Sequence, residues 1–210
     1  MKHVQRGMEP PELTEWKASA NADWKPTYRD YPHKKALVLR LAREQGYLCG
    51  YCGGRIGARE GDCHVEHVDS QSKHEERRLD YTNMLGSCQG SEATPPVPAH
   101  CGHTRRNEPL PVTPFMPDCA DYFTYGSDGS IGPADAAHDE PAKTTITLLG
   151  LGVRRLRASR LAAIDAALQG LDLLSGDEWR AEAAAYDFPD AEGRLSPYCF
   201  AVKQVLLRNA

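Results

Sequence analysis

Cys49-Gly-Tyr-Cys52, then Cys63-His64-Val65-Glu66-His67-Val68, then Asn83, Cys88 and His100-Cys-Gly-His-Thr-Arg-Arg106, decide how the middle of this chain must be built. A Cys-x-x-Cys knuckle turns tightly enough to aim both sulfurs at one point, supplying two of the four ligands of a tetrahedral zinc site. The other two must come from afar. Cys88 and Cys101 are the best pair, with His100 and Cys63 as alternatives, while Cys119 and Cys199 read as ordinary buried thiols. Seven cysteines is an odd number, and clustering at short spacing fits metal ligation in a reducing compartment better than disulfides.

The residues between the thiols are of a different kind. Thiolates suit zinc, whereas a carboxylate, an imidazole and an amide suit metal-assisted hydrolysis at phosphate. Along a strand, alternation sends Glu66 and His67 to opposite faces, so both can serve one centre only where the strand ends or bulges. Asp69-Ser-Gln-Ser72 is a turn sequence that permits such an end.

Working outward, the 210 residues can bury one sizeable core. A net charge of −4 argues against coating a polyanion through the overall field, so nucleic-acid contact must come from local basic patches. No run approaches a membrane span and the first residues lack the apolar core of a signal peptide, which points to the cytoplasm. Residues 1–33, with Pro10, Pro11, Pro26 and Pro32, read as an irregular arm. Lys34 to Gln45 carries one apolar helical face and Gly46 is a plausible stop. Short strands are expected at Cys63 to Val68 and Tyr81 to Leu85, with a helical turn after Cys101. Residues 91–99 read as a Pro-rich loop and Asp135 to Pro141 as a connector. Beyond them the pattern is helical: Val153 to Leu171 with Arg154, Arg155, Arg157 and Arg160 in the first turns, a shorter helix from Asp177, and a last one begun by Ser196-Pro197. The expected class is α+β, divided as an arm and helix (1–46), a zinc-stapled ββα core (47–132) and a helical region (143–210) that could serve as a partner-docking surface.

The stretches Gln45-Gly-Tyr-Leu-Cys-Gly-Tyr-Cys52, His64-Val-Glu-His67, Asp80-Tyr-Thr-Asn-Met-Leu-Gly-Ser-Cys88 and His100-Cys-Gly-His-Thr-Arg-Arg-Asn107 resemble the HNH, or ββα-metal, endonucleases. With Asp121-Tyr-Phe-Thr-Tyr125 and Asp128-Gly-Ser-Ile131 they are most similar to the retron- and Septu-associated PtuB family. The resemblance runs from the arm to about Gly132. It implies Cys49, Cys52, Cys88 and Cys101 as a structural zinc site and His67 as general base. Glu66 would ligate a catalytic Mg2+ or Mn2+, and Asn83 would pin the loop that orients His67. The further ligand is His103, with Asn107 as fallback, because Gly102 stands where many relatives carry His or Asn. Another departure is Asp69-Ser-Gln71, where relatives have a Pro soon after the catalytic His. Arg105 and Arg106 are the expected phosphate contacts, with Lys73, Arg77 and Arg78 either assisting or forming a solvated loop. The resemblance also implies a nucleic-acid substrate, DNA ahead of RNA, and an ABC-type ATPase partner, PtuA, in an antiviral defence complex. The alternative is a zinc-stabilised nucleic-acid-binding or protein-interaction module in which Glu66 and His67 do no chemistry.

Overall fold

The computed structural model describes residues 1–57, 61–88, 98–171 and 174–210, so residues 91–97 of the expected Pro-rich loop lie outside it. The arm is not wholly irregular: Pro11–Ala18 forms helix α1, with Leu13 buried. Pro11 opens it, where a missing N–H costs nothing because first-turn donors have no partner in the helix. Helix α2 spans Lys34–Glu44 and buries Leu37, Leu41 and Ala42. It ends before Gly46, whose φ of +63° is left-handed.

Strands β1 (Cys63–His67) and β2 (Met84–Cys88) pair antiparallel, with Cys63 opposite Cys88 and His67 opposite Met84. The expected second strand starts three residues late, because Tyr81–Asn83 forms a 3-10 turn capped by Asp80, whose carboxylate accepts from Thr82 N–H. Gln45 ties α2 to β2: its amide donates to Gly86 O at 2.8 Å and accepts from Gly86 N at 2.7 Å. The short helix α3, Gly102–Arg105, follows, completing a strand-strand-helix order.

A second hairpin pairs β3 (Phe123–Tyr125) with β4 (Ile131–Pro133). The C-terminal helices are α4 (Asp139–Leu148), α5 (Arg154–Leu168), α6 (Gly176–Ala185) and α7 (Cys199–Leu207). Helix α4 takes in the end of the expected connector, because Pro141 sits in its first turn. A capping box between Ser175 and Glu178 starts α6. Helix α7 begins after Tyr198 rather than at Ser196-Pro197.

One apolar cluster joins Met1 and Val4 of the arm, Cys49, Tyr51, Ile56 and Leu85 of the middle, Leu149 and Leu156 of the helical region, and Ala201 of α7. A second sets Val65 and Met84 against Leu13, Leu37 and Leu41. Of the Arg side chains that crowd the start of α5, Arg160 is turned inward, donating to Gly129 O at 2.7 Å and Leu151 O at 3.1 Å. The acidic stretch from Asp177 to Glu192 is partly neutralised by cations from beyond it: Lys203 pairs with Asp187, and Arg194 with Asp190 and Glu192. Among the described residues no helix is long and apolar enough to cross a membrane.

Candidate metal centre and reaction site

The knuckle is built by backbone. Cys49 N–H donates to Gly54 O at 2.8 Å, Gly53 N–H to Cys49 O at 2.9 Å, and Gly53 takes a φ of +76° that the turn requires. Cys88 arrives at the end of β2, and its N–H donates to Cys49 Sγ at 3.4 Å. Cys101 comes just before α3, fixed by its N–H to Leu149 O at 2.7 Å.

The four sulfurs lie within 4.8 Å of one another, with Cys49 to Cys101 at 3.8 Å and Cys52 to Cys88 at 3.9 Å. Zinc with bonds of about 2.3 Å holds tetrahedral sulfurs about 3.8 Å apart, so this cluster can hold such an ion. His100 is outside the sulfur set but close, its Nδ1 3.3 Å from Cys101 Sγ, where a ring N–H can donate to a metal-bound thiolate. Cys63 is elsewhere, beside Asp62, and burial with that carboxylate pushes its thiol up to about 12. Cys119 and Cys199 are buried in apolar surroundings.

At the other end of β1, alternation holds: Val65 and His67 are buried on the α1/α2 side, and His64 and Glu66 face α3. His67 is 6% exposed, with Tyr28 edge-on at 4.8 Å. Its Nε2 lies 2.9 Å from Arg78 O. A carbonyl only accepts, so Nε2 carries the proton and Nδ1 holds the lone pair in the neutral ring. Burial lowers the pKa of His67, which keeps that neutral form dominant at pH 7.

Asn83, 1% exposed, shapes this pocket. Its Oδ1 accepts from Asp69 N–H at 2.7 Å, and its Nδ2 donates to Asp69 O at 2.9 Å and Arg77 O at 3.3 Å. It thereby fixes both the exit of β1 and the segment whose next carbonyl holds His67. Asn83→Ala leaves the N–H and carbonyl of Asp69 without these partners and Arg77 O with only its bond from Asp80 N–H, and is expected to cost about 3 kcal/mol. A thermal melt should show this as a drop of roughly 10 °C, and an unchanged midpoint would refute the pinning role.

Glu66 divides its two oxygens. Oε1 takes Arg105 at 3.0 Å and Tyr51 Oη–H at 3.4 Å, whereas Oε2 faces His64 Nε2 at 3.6 Å. The His64 and His103 rings are 4.9 Å apart. A Cβ at Gly102 would fall 2.4 Å from Glu66 Oε2, so a side chain here would displace the end of the carboxylate from its present place.

The expected site residues thus form two halves flanking the end of β1: Glu66 with α3 and His103 on one side, His67 with Asn83 on the other. Arg105 spans them. It is 2% exposed, and it donates to Val68 O, to His67 O at 2.7 Å and to Glu66, so its charge is directed inward. Arg106 and Asn107 are exposed. Arg77 pairs with Asp69 and Asp80, and Arg78 with Glu75 at 2.7 Å, so these cations belong to the loop's own network. His64 is not among the expected site residues, although its two-residue spacing from Glu66 signals that both share a strand face.

No family model matches the chain. It is 30% identical over 139 residues to a protein of Vibrio cholerae serotype O1 biovar El Tor named "Retron Vc95 putative HNH endonuclease". The match covers 63% of this chain and 65% of that relative. Over that part the chain is similar to a protein named for the HNH endonucleases, and its four-cysteine cluster is consistent with a metal-stapled member of that group.

Proposed function

We propose that this chain is a metal-dependent HNH endonuclease that hydrolyses phosphodiester bonds in nucleic acid, with DNA the first substrate to test and RNA the second. The observation that carries the reading is the end of β1, which holds His67, a buried imidazole fixed through Nε2, on one side and on the other Glu66, with one oxygen committed to the fold and one facing His64. His67 Nδ1 takes the proton from the attacking water. Glu66 Oε2 and His103, with Asn107 next along the chain, are the donors for a catalytic Mg2+ or Mn2+. A divalent ion held there supplies charge neutralisation at the phosphate and the leaving oxygen. Asn83 holds the loop that orients His67. Arg105 fixes Glu66 and the end of β1, and the exposed Arg106 meets the phosphate backbone. The Cys49, Cys52, Cys88 and Cys101 cluster, holding zinc, supports both halves.

We further propose that the enzyme is cytoplasmic and is the effector of an antiviral defence complex of retron or Septu type with a PtuA-like ABC ATPase. That reading rests on the resemblance of the chain to the PtuB family and on its similarity to a retron protein. Exposed carboxylates of α6, Asp177 and Glu182, suit a protein partner better than a polyanion.

Supercoiled plasmid and total RNA, each incubated with Mg2+ or Mn2+ and with or without the ATPase, test the activity. The plasmid should be cut only with a divalent ion. Absence of cleavage under every condition would leave the chain a binding module. Gly102→Ala forces a methyl against Glu66 Oε2 and should lower cleavage about tenfold or more while zinc content is unchanged. Full activity in that variant would show that Glu66 Oε2 is not at the reacting centre.

A further inference from the structure

His64 has no part in the reaction so far described, yet its placement is specific. It lies two residues before Glu66 on the same face of β1, and its Nε2 is 3.6 Å from Glu66 Oε2. That is too long for a hydrogen bond, which needs about 2.7–3.2 Å. Two donors on one ion, each about 2.1 Å from it, are about 3.0 Å apart at right angles, about 3.4 Å at a tetrahedral angle and about 4.2 Å across it. The observed separation falls inside that interval.

Three neighbours strengthen this. Glu66 Oε1 is already committed to Arg105 and Tyr51, which leaves Oε2 as the oxygen facing His64. A Cβ at Gly102 would lie 3.1 Å from His64 Nε2 as well as against Glu66 Oε2, so the space a side chain at 102 would need holds these two groups instead. His64 Nδ1 is buried and has no hydrogen-bond partner among the described residues. A buried polar atom left this way destabilises the fold, and native proteins keep such groups where the side chain has another task.

We propose that His64 Nε2, with Glu66 Oε2 and His103, ligates the divalent ion of the reaction site, and that this donor set selects Mn2+ or another first-row transition ion over Mg2+. Imidazole donors favour transition ions, whereas Mg2+ prefers oxygen and retains its water. Among the described residues the four sulfurs are the only group of three or more such donors with every ligand atom within 4.8 Å, so completing the His64 set requires rotation of the exposed His103 side chain. The inference rests on the nuclease reading above.

The test is Mn2+ binding to the zinc-loaded full chain, read from loss of the free-ion EPR signal, with Mg2+ as competitor. The wild-type protein should bind one further ion, with Mn2+ preferred over Mg2+ at least about tenfold. His64→Ala should weaken Mn2+ binding by roughly tenfold or more and narrow that preference, with zinc content and circular dichroism unchanged. His64→Gln, which keeps the side chain's bulk without the imidazole, should do the same and serves if the alanine variant misfolds. Variants that bind Mn2+ like the wild type would remove His64 from the site and leave the nuclease reading standing. A wild-type protein that takes up no ion beyond zinc would overturn this inference together with the metal-dependent reading beneath it.

Discussion

Replacing Cys49 and Cys52 together with serine should abolish the cooperative folding of the middle of the chain. The knuckle, the end of β2 and the start of α3 are held to one point although Cys49 and Cys101 are 52 residues apart in sequence. Structural zinc contributes about 10–16 kcal/mol in small metal domains, against a total stability of about 5–15 kcal/mol for a typical domain. The sulfurs cannot substitute for the ion by themselves. Burial and neighbouring thiols push Cys101 well up, while hydrogen bonds from its neighbours hold Cys88 down, so the cluster without a cation does not carry four thiolates. Because Cys49, Cys52 and Cys101 also sit in the main apolar cluster, loss of the site opens that core. The expected results are one zinc per wild-type chain by elemental analysis, and in the double variant no zinc and a melt lowered by more than about 10 °C or no longer cooperative. A zinc-free variant that melts like the wild type would show that the cluster is not a staple.

His67→Ala should lower cleavage by about 100- to 10,000-fold, the usual contribution of a general base. His67→Gln should not restore it, since an amide can fill the space but cannot take up a proton. The pH dependence has a defined sign. Burial places the folded pKa of His67 below its ordinary 6.5, so wild-type cleavage should fall on the acid side as the ring protonates, below that value rather than at it. The same shift acts on stability. In the window between the depressed folded value and 6.5 the unfolded chain binds more protons, so stability is lost as pH falls through it, and His67→Ala should lose that component of acid sensitivity. A variant that cleaves within tenfold of wild type would exclude His67 as the base.

Features set by short-range geometry were legible in the sequence. The Cys49 and Cys52 knuckle follows from a tight turn, α2 from its apolar spacing, and the opposite-facing Glu66 and His67 from strand alternation. The arm and the 135–141 connector were harder to read because Pro11 and Pro141 look like breakers, and only a helix's first turn accommodates them.

What the sequence by itself determined was the set of donors and the parity of each on its element, since covalent geometry fixes both. The tertiary structure alone decided which donors meet. It closed the sulfur set with Cys88 and Cys101 while leaving His100 beside it, turned Arg105 into the core, and set His64 against Glu66 over the bare Gly102. Those outcomes depend on burial and on contacts between residues far apart in the chain, and such contacts are selected by the packing of the whole core rather than by local spacing.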